Sequence, residues 1–252
     1  MKIVFLDSET VPKDIPLPAW TERCENLTLA PNDSTVEGVA ESVISAIYAL
    51  RSQLIPYSKS SYDRWSESSF FCVHLAPIHD VKGAILGIVG KGDIGKRVGQ
   101  LAEAVGMKVI FAERKGADKV RSGYMAFEAV LRQSDMLSLH CPAVPGSINL
   151  IGNRELPLMK EGACLINTAR GTLVDAKAVL ASLNEGHLGG AALDVLESEP
   201  PSEDHPLICN RHPRLIITPH VAWASMNSVD CLIDRVLENL DGFYHGEPVN
   251  LV

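Results

Sequence analysis

From Val81 onward, short β-branched apolar runs alternate with segments of helical spacing, and this alternation limits the possible folds more than any other feature. AILGIVG, KVIFAE, MLSLHC, ACLINT, GAALDV and LIITPH read as strands, and helices are predicted over 94–105, 126–133 and 176–185. Parallel neighbours need a crossover element where antiparallel ones need only a turn. The alternation therefore predicts an α/β protein with a doubly wound parallel sheet of Rossmann type. Upstream, Val39, Val43, Ile47, Leu50 and Leu54 recur at steps of three and four, which predicts one helix over 36–54 ended by Pro56. Residues 58–77, rich in serine and carrying Trp65, Phe70 and Phe71, read as an extended arm whose aromatics need a partner surface. Residues 2–7 read as a buried strand, and 227–244 as a helix with Val229, Leu232, Ile233, Val236, Leu237 and Leu240 along one stripe.

The chain has 252 residues and a formal charge of −8, which argues against a nucleic-acid partner, since such proteins show a basic excess or stripe. Cys24, Cys72, Cys141, Cys164, Cys209 and Cys231 are scattered, with no C-x-x-C pair and no histidine at metal-ligand spacing. Free thiols in a reducing compartment and no metal site are the expectation. The opening MKIVFLDSET is too short an apolar run for a signal segment, and no stretch approaches the roughly 18 apolar residues of a membrane span. A cytoplasmic protein without a membrane partner is expected.

The run Leu86-Gly87-Ile88-Val89-Gly90-Lys91-Gly92-Asp93-Ile94-Gly95 leaves a strand and enters a helix. In that context G-x-G-x-x-G predicts dinucleotide binding: Gly90 for the tight turn, Gly92 for close approach of the pyrophosphate, Gly95 for helix–strand packing. Asp93 and Ile94 open the helix whose N-terminus faces the anion. Glu113 ends the second strand about twenty residues on, where an acid hydrogen-bonds the adenosine ribose and favours NAD. Arg114 and Lys115 follow at once and offer cations to the 2′-phosphate of NADP, so both cofactors stay open with NAD ahead.

Arg170 in INTARGTLVD, Glu199 in LDVLESEPP and His220 in ITPHVAWAS follow in that order. With AERKGA and LHCP, these phrases identify the chain from about Thr35 to its end as resembling the D-isomer-specific 2-hydroxyacid dehydrogenases, in particular their glycerate dehydrogenase and hydroxypyruvate reductase branch. The resemblance implies an NAD(P)H-dependent oxidoreductase that interconverts hydroxypyruvate or glyoxylate with D-glycerate or glycolate. It implies that Arg170 holds the substrate carboxylate and polarises the carbonyl, that His220 is the acid/base, and that Glu199 is the partner favouring imidazolium. It further implies that Asp194 fixes the nicotinamide carboxamide, with Thr168 and Ala169 on the same wall and His140 and Pro142 on the adenosine side. Trp223 is expected either to shape the substrate pocket or to cover the cleft, and Ser147 stands where relatives more often have threonine. A homodimer built on the nucleotide domain is implied as well.

The expected organisation is a dinucleotide-binding domain over 35–224, with 1–34 and 225–252 forming a reduced substrate (lid) domain. The N-terminal third is shorter than in the family, and no equivalent is found of the glycine- and asparagine-containing loop whose amides grip the substrate carboxylate. Two readings follow: an active dehydrogenase, supported by Arg170, Glu199 and His220, or a cofactor-binding dimeric interaction protein with an incomplete substrate site.

Overall fold

In a computed structural model, residues 35–245 are described, without the side chains of 240, 243 and 244. The strand expected over 2–7 and the stretch around Trp20 to Leu29 lie outside the described residues. Val36–Trp223 forms one compact unit, and the chain from Ala224 falls outside it.

The unit is built on six parallel strands: β1 (Ile85–Val89), β2 (Lys108–Ala112), β3 (Met136–Leu139), β4 (Cys164–Asn167), β5 (Gly190–Leu193) and β6 (Leu215–Ile217), in the spatial order β2-β1-β3-β4-β5-β6. All five pairings are parallel, with Leu86 opposite Met136 and Ile88 opposite Ser138 at the centre. Because strand side chains alternate in direction, each strand feeds two cores. Leu86, Ile88, Met136, Cys164, Ile166 and Ala192 meet α1 (Val36–Arg51) and α3 (Asp93–Ala104) through Val43, Ile47, Val98 and Ala102. Leu137, Leu139, Leu165, Ala191 and Leu193 face the opposite layer, where Val130 and Leu131 of α4 (Phe127–Gln133) and Val179 and Leu183 of α5 (Ala176–Glu185) are fully buried. The short α6 (Pro206–Asn210) precedes β6. Outside the unit, α7 (Met226–His245) buries Val229 and Val236 of the predicted stripe.

Two expectations before β1 are corrected. The helix predicted over 36–54 stops at Arg51, and Leu54 is exposed rather than part of the stripe. Gln53 takes a left-handed conformation at φ 53°, and a second helix, α2 (Leu54–Arg64), begins beyond it. Pro56 lies in the first turn of α2, where an amide hydrogen has no helical acceptor to lose, so it does not end a helix there. Residues 58–64, expected to be extended, are therefore helical. The chain after α2 returns to it through the Tyr57 hydroxyl, which accepts the Leu75 and Ala76 amides at 3.0 and 3.3 Å and lies 2.8 Å from the Ala76 carbonyl. Among the described residues no helix is long and apolar enough to cross a membrane.

Candidate functional site

Every site residue suggested by the sequence follows the C-terminal end of a strand. Val89 leads to Gly90, Ala112 to Glu113, Leu139 to His140, Asn167 to Thr168, Leu193 to Asp194, and Ile217 to the turn holding His220. In a parallel sheet these ends share one edge. The chain reverses its direction of winding between β1 and β3, which opens a crevice at that edge.

The glycine turn fits a dinucleotide phosphate. Gly90 has φ 103°, and a Cβ there would run into the His140 carbonyl, while one at Gly95 would strike the Gly90 carbonyl oxygen. Gly92 is the N-cap of α3, makes no side-chain cap, and has open space where a Cβ would stand. A twelve-residue helix that begins uncapped at Asp93 and Ile94 beside open space presents amide donors and a positive dipole end to an anion. The buried Thr168 hydroxyl has no hydrogen-bond partner among the described residues, which leaves a polar group for a bound ligand to satisfy.

At the end of β2, Glu113 is 3% exposed and forms a two-point ion pair with Arg121, with Nη2 to Oε1 at 2.6 Å and Nε to Oε2 at 2.7 Å. The Arg121 guanidinium beside it, with help from the Arg114 amide, holds the Glu113 carboxyl down at about 2. Lys115 turns away to Glu155 at 2.6 Å, whereas the Arg114 side chain has no partner among the described residues. The sequence offered no sign of Arg121. It lies in a loop with no periodic pattern, and only the return of residues 114–125 toward β2 brings it to Glu113.

His140 lies 2.8 Å from the Ser138 hydroxyl through Nε2, and burial pushes its ring down to about 4. The unfolded ring takes a proton near 6.5, so this histidine contributes stability that is complete above pH 6.5 and lost as pH falls toward 4. In urea titrations across that window, the unfolding midpoint of His140→Gln should fall less with acidification than that of the wild type. Beyond His140, the Ser147 hydroxyl accepts the Val144 amide at 2.8 Å and lies 3.0 Å from the Pro142 carbonyl, so serine suffices to tie the loop.

Asn167, fully buried, shapes the next turn: its Oδ1 accepts the Ala169 amide at 3.0 Å and its Nδ2 donates to the Arg170 carbonyl at 2.9 Å. Arg170 is exposed, with Nη1 donating to the Ala169 carbonyl at 2.6 Å. Gly171 packs so closely on Leu196 that a Cβ would overlap its backbone. The Arg170 turn is thereby set against the loop carrying Glu199, whose Oε1 accepts the Leu196 amide at 2.9 Å. The same loop is tied by Glu197, which accepts from Nε2 of the buried His205 at 3.0 Å.

Glu199 Oε2 lies 2.7 Å from His220 Nδ1. A carboxylate only accepts, so Nδ1 carries the proton and Nε2 is directed away from the pair. His220 sits at φ 55°, a conformation that a non-glycine residue keeps only when its surroundings impose it. The restraint comes from Asp194, whose backbone carbonyl accepts the His220 amide at 2.8 Å. Its Oδ1 accepts the Thr218 hydroxyl and the Val221 amide, and its Oδ2 accepts the Ala222 amide at 2.9 Å. An ionised carboxylate has about four acceptor positions, so one stays open beside Oδ2. Trp223 closes the turn by donating Nε1 to the His220 carbonyl at 3.0 Å.

The profile of the D-isomer specific 2-hydroxyacid dehydrogenase NAD binding domain matches residues 47–222. A Haemophilus influenzae protein, named provisionally as a 2-hydroxyacid dehydrogenase, is 48% identical over 81% of this chain and 66% of its own length. Glycerate dehydrogenase of Methylorubrum extorquens is 42% identical over 85% of this chain and 67% of its own. A crystal structure of a glyoxylate reductase from Paecilomyes thermophila superimposes with a TM-score of 0.73 at 29% identity, covering 92% of this chain and 69% of that one. The chain spans about two thirds of the length of the curated relatives it matches.

Proposed function

Because this chain belongs to the D-isomer specific 2-hydroxyacid dehydrogenase family, we propose that it interconverts hydroxypyruvate, or glyoxylate, with D-glycerate, or glycolate. The observation that carries this reading is the Glu199–His220 pair at 2.7 Å, on the sheet edge that also bears Arg170 and the glycine turn. When bound, the reduced nicotinamide supplies a hydride to the carbonyl carbon. His220 gives the proton on Nε2 to the carbonyl oxygen, and the carboxylate of Glu199 stabilises the imidazolium that precedes this transfer. Arg170 pairs with the substrate carboxylate through its planar fork, which orients the carbonyl. Asp194 uses its remaining acceptor position for the carboxamide while holding the His220 turn. Gly90, Gly92, Asp93, Ile94 and Gly95 cradle the pyrophosphate, and Thr168 and Ala169 line the nicotinamide wall. His140 and Pro142 line the adenosine side. In this reading 35–224 is the dinucleotide domain, 1–34 with 225–252 belong to the substrate (lid) side, and the protein works in the cytoplasm.

Oxidation of NADH on addition of hydroxypyruvate or glyoxylate tests the assignment. Cofactor binding without turnover of either acid, or of other 2-oxo acids, would leave a dinucleotide-binding protein and remove the enzyme.

The working unit in this reading is a homodimer. Tyr62, Trp65, Phe70 and Phe71 are all exposed, the last 91% so, and offer apolar area for a second copy to cover. Phe70→Glu with Phe71→Glu places two charges on it, and sedimentation velocity should then show a monomer where the wild type sediments as a dimer. An unchanged sedimentation coefficient would place the dimer contact elsewhere.

A further inference from the structure

The Glu113 carboxylate is saturated. Oε1 accepts the Arg114 amide at 2.9 Å and Arg121 Nη2 at 2.6 Å, while Oε2 accepts the Arg121 amide at 3.1 Å and Arg121 Nε at 2.7 Å. With about four acceptor positions on an ionised carboxylate, none is left for a ribose hydroxyl. Three of the four donors belong to Arg121. Its side chain is 56% exposed, and its guanidinium stacks 4.2 Å from the centre of the Tyr124 ring. Lys91, within the glycine turn, lies over the same ring at 5.0 Å and over Phe111 at 4.4 Å. Arg114 follows Glu113 directly, and its side chain has no partner among the described residues. Arg121 thus neutralises the acid at the end of β2, and Lys91 shares the Tyr124 ring with it.

We propose that Arg121 is the residue that sets cofactor preference: it prevents Glu113 from reading the ribose 2′-hydroxyl and makes this corner a receptor for the 2′-phosphate of NADP(H). The proposal deepens the dinucleotide reading of the glycine turn and rests on it. To accept the ribose diol of NAD, Glu113 must release the Arg121 fork, and two hydrogen bonds between opposite charges are given up for two in which only the acceptor is charged. To accept a 2′-phosphate, the pair stays closed. Its net charge is zero, so the acid no longer repels the phosphate, and Arg121 Nη1, Arg114 and Lys91 supply donors. Arg121 is therefore neutral toward neither cofactor: it hinders one and attracts the other.

Binding of NADH and of NADPH to the intact chain, titrated separately by fluorescence, tests this without requiring turnover. Arg121→Met should loosen NADPH and tighten NADH, moving the ratio of dissociation constants toward NADH by about tenfold or more. Glu113→Gln, which frees the fork, should move the ratio the opposite way. Arg121→Lys keeps the charge without the fork and should fall between wild type and Arg121→Met. A ratio that Arg121→Met leaves unchanged, or an equal loss for both cofactors, overturns the inference alone. A wild-type chain that binds neither dinucleotide overturns the reading of the glycine turn, and this inference with it.

Discussion

Replacing His220 by alanine should lower the rate of 2-oxo acid reduction by roughly 10²- to 10⁴-fold, the usual contribution of a positioned general acid, while the dissociation constant of NADH stays within about twofold of wild type. The expectation follows from how the ring is held. Nδ1 is occupied by Glu199 at 2.7 Å, and the turn is fastened by Asp194 through Thr218, Val221 and Ala222, none of which needs the imidazole. Removing the ring deletes the proposed proton donor and leaves the glycine turn, at the far side of the switch point, as it was. Single-turnover reduction with hydroxypyruvate and NADH titration of the same samples separate the two quantities. A loss of NADH affinity parallel to the loss of rate would assign His220 to cofactor binding instead.

Gly90→Ala should abolish measurable NADH binding and lower the unfolding free energy by on the order of 3 kcal/mol, combining left-handed backbone strain with overpacking. The backbone at φ 103° disfavours any side chain, and the added methyl would enter the His140 carbonyl, which is backbone and cannot swing aside. The turn must then shift, and α3 shifts with it, because Gly95 is packed on the Gly90 carbonyl. Gly92→Ala is the informative comparison. At φ −76° and with open space at its Cβ position, alanine there should cost little stability yet obstruct a pyrophosphate. Urea denaturation and NADH titration of both variants should therefore give two losses for Gly90→Ala and one for Gly92→Ala. If Gly92→Ala binds NADH as well as wild type does, the phosphate does not approach that amide.

Much of the framework is legible in the sequence. The six strands and the helices α3, α4 and α5 between them appear within a few residues of their predicted places, because a fully buried parallel strand must be a short apolar run and its crossover must show helical spacing. Failures came where a local rule met a neighbouring context. Pro56 ordinarily ends a helix, but a proline in the first turn of a new helix loses no hydrogen bond, so α2 forms where an extended arm was expected. Leu54 matched the stripe of α1 in spacing alone, since the reversal at Gln53 takes it to a different helix.

The site divides along the same line. Glycines at fixed spacing, and single Arg, Glu and His residues after strands, can be picked out along the chain because strand ends and turns impose local demands. That Glu199 meets His220, that Asp194 staples the His220 turn, and that Glu113 is occupied by Arg121 are pairings across 21, 27 and 8 residues, respectively. The chain by itself determined which short segments must be strands, where backbone had to turn without a side chain, and hence that the ends carrying chemistry share one edge. Only the tertiary structure decided which donors reach which carboxylate, since hydrogen bonds depend on ångström-scale placement that spacing along a flexible loop does not encode.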